Sequence, residues 1–144
     1  MSAPTRRWFE SRRLVTFGDT NTAGSVYFAH YLAWQGECRE QLLAQFYPEF
    51  TQDLKRGFTM TTEFVHQDFF SEATLFDQVL IRLTVTALTR SRIEFEFEFV
   101  REPDGKVIGR GRQAVIWTNA QHHPSLMPDK LYEATASYFG FAES

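Results

Sequence analysis

A single cysteine, Cys38, stands in a chain of 144 residues, so no disulfide can close within one copy. No apolar run is long enough to span a bilayer, and the N-terminal stretch lacks the apolar core of an export signal. The expectation is a cytoplasmic protein with no membrane partner. A surplus of positive charge is also missing: 15 Lys and Arg against 18 Asp and Glu leave a formal net charge of -3, which argues against broad nucleic-acid binding. The local basic cluster Arg6, Arg7, Arg12 and Arg13 is either a solvated strand end or a meeting point for a phosphate or an acidic protein. His122-His123-Pro124 lacks spaced Cys or acidic ligands, so no metal site is expected.

Phenylalanine is what the chain has in excess: 15 Phe within 16% aromatic residues. That is either a Phe-rich core or the lining of an apolar channel or subunit interface. The length suits one domain over 1–144, large enough to bury about two-thirds of its unfolded surface.

The chain is organised around Gly18 to Phe46. Gly18-Asp19-Thr20-Asn21-Thr22-Ala23-Gly24-Ser25 is dense in residues that bend backbone and hydrogen-bond locally, and the run that follows has no Pro and one Gly, Gly36. A polar turn therefore feeds one long helix. At 100° per residue, Phe28, Tyr31, Leu32, Trp34, Cys38, Leu42, Leu43 and Phe46 fall on one side, with His30, Glu37, Glu40 and Gln41 opposite. Gln35 and Arg39 break the apolar side. Arg is almost never buried unless paired or placed for work, so Arg39 is either a structural ion bound to a buried acid or to carbonyls, or an anchored cation in a pocket. Cys38 has no neighbour in sequence to supply the base a thiolate nucleophile needs.

Around this helix the pattern is that of strands. Trp8 to Phe17 has strand character. Tyr47-Pro48 ends the helix, and a loop runs to Gly57. From Phe58 the period is two, with Met60, Thr62 and Phe64 on one face. A further strand is expected from Gln78 to Thr89. The next has the cleanest alternation, Ile93, Phe95, Phe97 and Phe99 against Arg92, Glu94, Glu96 and Glu98. Glu102-Pro103-Asp104-Gly105 turns the chain back into Lys106 to Thr118, where Gly109 and Gly111 leave room for a bend or a close approach. Pro128 opens a short helix to about Phe139, followed by an acidic end. One apolar sheet face and one long amphipathic helix give a two-layer α+β domain.

Asp19-Thr20-Asn21, Gly24, Val26-Tyr27 and Tyr31 resemble the loop-and-helix motif of hotdog-fold thioesterases of the 4-hydroxybenzoyl-CoA thioesterase type, whose pattern reads D-T-D-x-x-G-x-V-Y-x-x-x-Y. The resemblance covers essentially the whole chain and implies a five-stranded antiparallel sheet wrapped around one long central helix, plus a short C-terminal helix. One departure stands out: Asn21 replaces the second Asp, and a carboxamide cannot take a proton at neutral pH. With Trp34-Gln35-Gly36 and Cys38-Arg39-Glu40, this is similar to the thioesterases of enediyne polyketide pathways, which release a polyene chain from an iterative synthase.

That likeness implies a hydrolase working without a catalytic carboxylate or a cofactor, on an acyl chain carried by phosphopantetheine on an acyl carrier domain. It implies catalytic roles for Asn21, Tyr31, Arg39 and Thr62, and substrate contacts from Gly24, Ser25, Val26, Tyr27, Gln35, Met60 and Phe64. Amides of Ser25 to Tyr27 at the helix N-terminus would stabilise the oxyanion, Asn21 would orient water, and Arg39 would hold charge on a β-keto or carboxylate group. From the residues themselves, Glu63 is the acid to watch as a partner for Arg39, a pairing the sequence leaves open. A basic surface of Arg6, Arg7, Arg12 and Arg13, joined by Arg82, Arg90 and Arg92, would face either a carrier protein or CoA phosphates. A homo-oligomer, a tetramer built as a dimer of dimers, is expected to cover the sheet edge and aromatic surface. General acyl-CoA hydrolysis and non-catalytic acyl binding are the competing readings.

Overall fold

The computed structural model describes residues 7–141; Arg6 and the acidic end at 142–144 lie outside the described residues. Five strands, β1 (Phe9–Leu14), β2 (Thr59–Phe69), β3 (Gln78–Leu88), β4 (Arg92–Glu102) and β5 (Lys106–Thr118), form one sheet in the order β1-β3-β4-β5-β2. Every neighbouring pair is antiparallel. Helix α1 (Ala29–Phe46) packs on its inner face, α2 (Phe50–Lys55) follows, and α3 (Asp129–Phe139) closes the chain. This is the expected arrangement. Two short elements are missing from the sequence reading: a 3-10 turn at Phe17–Asp19, and α2, a helix of under two turns within the stretch from Tyr47 to Gly57, too short for periodicity to show.

The alternation of β4 holds: Ile93, Phe95, Phe97 and Phe99 are buried, while the intervening Arg92, Glu94 and Glu98 face outward into ion pairs. On α1 the buried residues are Tyr31, Trp34, Gln35, Cys38 and Leu42, spaced at three and four, a single stripe against the sheet. One wheel assignment changes. Phe28 precedes the helix and is exposed, its ring tilted against Tyr27 with centroids 4.6 Å apart. Gln35 is fully buried, on the side where the wheel places it.

Of the sheet's register shifts, the one that bears on the site sits in β2. Its register to β5 shifts between Thr62 and Phe64, so that Thr62 faces Val115 and Phe64 faces Ala114 across the ladder, with Glu63 the extra residue. Such a bulge flips every side chain beyond it to the other face. Met60 and Thr62 stay on the side of α1, but Phe64 turns to the outer face, where the Arg112 guanidinium lies 5.4 Å from its ring centroid. Phe64 therefore does not share a surface with Met60, contrary to the alternation.

Candidate active site

The polar turn is held by its own side chains. Asn21 Oδ1 accepts from the amides of Ala23 (2.9 Å) and Ser25 (3.3 Å), and Gly24 takes the left-handed conformation at φ 84° that lets the loop close. With Oδ1 fixed toward these donors, Nδ2 points away from the loop and meets no acceptor among the described residues. The amides expected to form an oxyanion hole are committed inside the fold: Ser25 to Asn21, Val26 to the Ala73 carbonyl (2.9 Å) and Tyr27 to the Asp19 carbonyl (2.9 Å). The Ser25 hydroxyl donates to Glu72 (3.1 Å) and Val26 belongs to the core. In this loop Asn21, Thr22, Ala23 and Tyr27 are exposed.

Asp19 anchors the loop from beneath. It is 2% exposed and accepts from the Thr16 amide (2.9 Å), the Thr16 hydroxyl (3.0 Å) and Arg13 Nη2 (3.0 Å), with His30 Nδ1 at 3.6 Å. Burial alone would raise its pKa, but the Thr16 hydrogen bonds and the Arg13 guanidinium outweigh it and hold the carboxyl below its ordinary value. A carboxylate depressed in the folded state stabilises above its unfolded pKa, and that contribution disappears as pH falls through the folded one. Denaturant titrations from about pH 6 to about pH 2 should therefore show parent and Asp19→Asn converging as the solution is acidified, the parent losing more.

On α1, Tyr31 is buried among the rings of Trp34, Phe69 and Phe99, with centroids 5.2, 5.3 and 5.4 Å away. Burial raises its pKa, so the phenol stays protonated. Cys38 is fully buried and its thiol is pushed up to about 11 by desolvation, which rules against a thiolate nucleophile.

Arg39 lies half-buried two turns beyond Tyr31, and among the described residues no carboxylate comes within 4.0 Å of it. Nη1 donates to Gln113 Oε1 (2.7 Å), while Nε is buried without a partner. Burial lowers its pKa, with the nearby Glu40 carboxylate opposing the shift, and a guanidinium keeps its charge regardless. Arg39 opens on an apolar groove of about 380 Å³ lined by Leu43, Ala44, Tyr47, Phe50, Leu54 and Met60, with Glu40 at its rim. Glu63 is not its partner: that carboxylate takes Arg92 Nε at 2.9 Å, on the face of β2 opposite Met60 and Thr62.

Gln35 does not reach the groove. Its Oε1 accepts from Gln113 Nε2 (3.1 Å), and its Nε2 donates to the His66 carbonyl (3.0 Å) and to Gln67 Oε1 (2.8 Å). A residue expected to touch substrate thus lies behind the one that faces it. The expected basic surface is largely neutralised: Arg12 pairs with Glu102, Arg13 with Asp19 and Glu37, Arg82 with Glu10 and Glu98, Arg90 with Asp129 and Arg92 with Glu63 and Glu94.

A polar turn, a helix carrying an unpaired cation and an apolar groove suit the hydrolysis of an acyl ester or thioester. The sequence model of the thioesterase-like superfamily matches residues 15–135. The chain belongs to that superfamily. This thioesterase is 36% identical in sequence to the dynemicin thioesterase, whose crystal structures describe polyene binding, with a TM-score of 0.85 over 92% of this chain and 97% of the other. It is 24% identical over 94% of both chains to the 1,4-dihydroxy-2-naphthoyl-CoA hydrolase of Prochlorococcus marinus. A 1,4-dihydroxy-2-naphthoyl-CoA thioesterase from Synechocystis shares the hotdog fold at a TM-score of 0.84 and 23% identity, over 90% of this chain and 96% of that one. The thioesterase is accordingly a thioester hydrolase of hotdog fold.

Within one copy of the thioesterase the two polar centres stay apart. Arg39 is ten residues into α1, roughly 15 Å along its axis from the helix start, while Asn21 precedes that start. Asn21 is not among the groove's lining residues, and Met60 is. Thr62 lies exposed on β2, an edge strand. Sequence reasoning missed Gln113, to which no face of Lys106 to Thr118 was assigned, and Gln67, which alternation without the bulge places on the face opposite Met60 and Thr62. Gly111 was the available signal.

Proposed function

We propose that this thioesterase releases a long apolar acyl chain, a polyene bearing a β-keto group, from phosphopantetheine on the acyl carrier domain of an iterative enediyne polyketide synthase. The observation that supports this reading is Arg39: a half-buried guanidinium with no carboxylate within 4.0 Å among the described residues, opening on an apolar groove. A cation left unpaired there favours a ligand that brings oxygen or negative charge beside a greasy chain. The likeness to the dynemicin thioesterase points to the same substrate class.

In the reaction, water adds to the thioester carbonyl, the oxyanion collapses, the C–S bond breaks and the thiol leaves with a proton from that water. No side chain need act as nucleophile. Asn21 Nδ2, a donor held outward by the commitment of Oδ1, suits the developing oxyanion, and Arg39 holds the β-keto oxygen. Loss of CO2 from the released β-keto acid would follow. Since Asn21 and Arg39 stand apart in one chain, the site is proposed to be completed between two copies, across the free edge of β2 where Val65 and Phe69 are exposed, within a tetramer in the cytoplasm.

Replacing Asn21 by Asp tests the assignment without disturbing the loop, because a carboxylate oxygen can accept from the same two amides. An outward carboxylate would repel the oxyanion, so turnover should fall at least about tenfold. A gain would show that a carboxylate mechanism suits the site. The substrate is tested by single-turnover release of a β-keto polyenyl chain from a carrier protein beside the corresponding acyl-CoA. Preference for the CoA ester would favour the second reading, general acyl-CoA hydrolysis, which the Prochlorococcus relative supports.

A further inference from the structure

Behind Arg39 runs a chain of three carboxamides with a direction. It begins at the His66 carbonyl, a backbone oxygen of β2 that can only accept, and Gln35 Nε2 donates to it at 3.0 Å. Gln35 must therefore turn Oε1 the other way, where Gln113 Nε2 donates to it at 3.1 Å. Gln113 in turn presents Oε1 to Arg39 Nη1 at 2.7 Å. Gln67 fixes the far end a second time, accepting from Gln35 at 2.8 Å and donating to the Asp68 carbonyl at 3.0 Å. Each amide's polarity is set by the one before it, so a backbone atom of an edge strand dictates which atom meets the guanidinium.

The fold gives up packing to make room for this. Gln35 and Gln113 are 0% and 2% exposed, positions where apolar side chains would fill the volume with no polar groups to satisfy. β5 carries Gly111 beside them, and a Cβ there would sit 2.2 Å from Gln35 Nε2. The three carboxamides are hydrogen-bonded to one another and to backbone carbonyls, and the one charged member of the chain, Arg39, keeps its Nε without a partner.

We infer that Gln35 and Gln113 are positioning residues for this thioesterase: through them the His66 carbonyl and Gln67 set the plane and location of the Arg39 guanidinium, and so its alignment with substrate oxygen. The inference rests on the reading of Arg39 given above.

The test is a double-mutant cycle in full-length protein, with thioester turnover and melting temperature measured on each variant. Gln35→Met keeps the side chain's length and removes the relay. With Arg39 present it should lower kcat by about 10- to 100-fold, the scale of misplacing a reacting group. In an Arg39→Ala background the same change should alter turnover less than about twofold, while it still lowers the melting temperature. A merely structural glutamine would lower turnover equally in both backgrounds, and that result overturns the proposal. So does parental kcat in folded Gln35→Met. If Gln35→Met does not fold, Gln113→Met enters the same cycle with the same criteria. Parental turnover in Arg39→Ala itself would instead refute the assigned role of Arg39, whereas a crippled Arg39→Ala beside an unaffected Gln35→Met refutes the relay alone.

Discussion

Arg39→Ala is expected to lower thioester turnover by on the order of 10² or more, the magnitude typical of losing one preorganised electrostatic donor, while the protein stays folded. The two halves of this expectation have separate causes. Turnover falls because nothing else lining the groove carries positive charge. Stability survives because the side chain has no carboxylate partner to strand. Breaking a buried ion pair costs about 3 to 5 kcal/mol, but here the loss is confined to one donor for Gln113 Oε1, about 1 to 3 kcal/mol at most. Lysine should restore little, since a point charge cannot bond Gln113 and a substrate oxygen in one plane. Single-turnover kinetics with a melting curve on the same preparation read both halves. Unfolding of the variant, or near-parental turnover from a folded one, would contradict the account.

Trp117→Ala should have the largest effect on stability. Trp117 is 2% exposed, stacks on Phe58 with centroids 6.1 Å apart and meets Phe50 edge-on at 5.7 Å. It stands opposite Met60 in the β2–β5 ladder, so the cavity left behind would lie directly under two residues of the groove, Phe50 and Met60. Truncating a buried Trp costs about 3 to 5 kcal/mol. For a chain of this size that is a fall in melting temperature of roughly 6 to 20 °C. Calorimetry on parent and variant at equal concentration measures it. A shift under about 2 °C would mean that neighbouring rings refill the space.

How far the sequence could be read depended on whether a feature was repetitive or singular. The alternation of β4 and the three-four spacing of α1 are repetitive, and both elements appear where periodicity placed them. Arg39 was legible as an anomaly, a charge on an apolar stripe. Gln35 was anomalous in the same way, but an amide on an apolar stripe does not reveal whether it faces a ligand or another amide; only the position of Gln113 decides that. Phe64 was misplaced because a single extra residue in β2 leaves no trace in the pattern of side chains and shifts everything after it, whereas Glu63 stands on the face opposite Met60 and Thr62, as alternation alone places it, and so away from Arg39. The oxyanion amides were misplaced because backbone donors at a turn look alike in sequence, whichever acceptors the fold brings to them.

The turn at Asn21 separates shape from charge. The Ala23 and Ser25 amides ask only for an oxygen acceptor, and carboxamide and carboxylate supply one with the same geometry. What the side chain offers outward, a donor or a negative charge, is then invisible to folding. An exchange of carboxamide for carboxylate at this position therefore leaves the loop's hydrogen bonds in place and changes only the charge and the donor that the side chain presents outward.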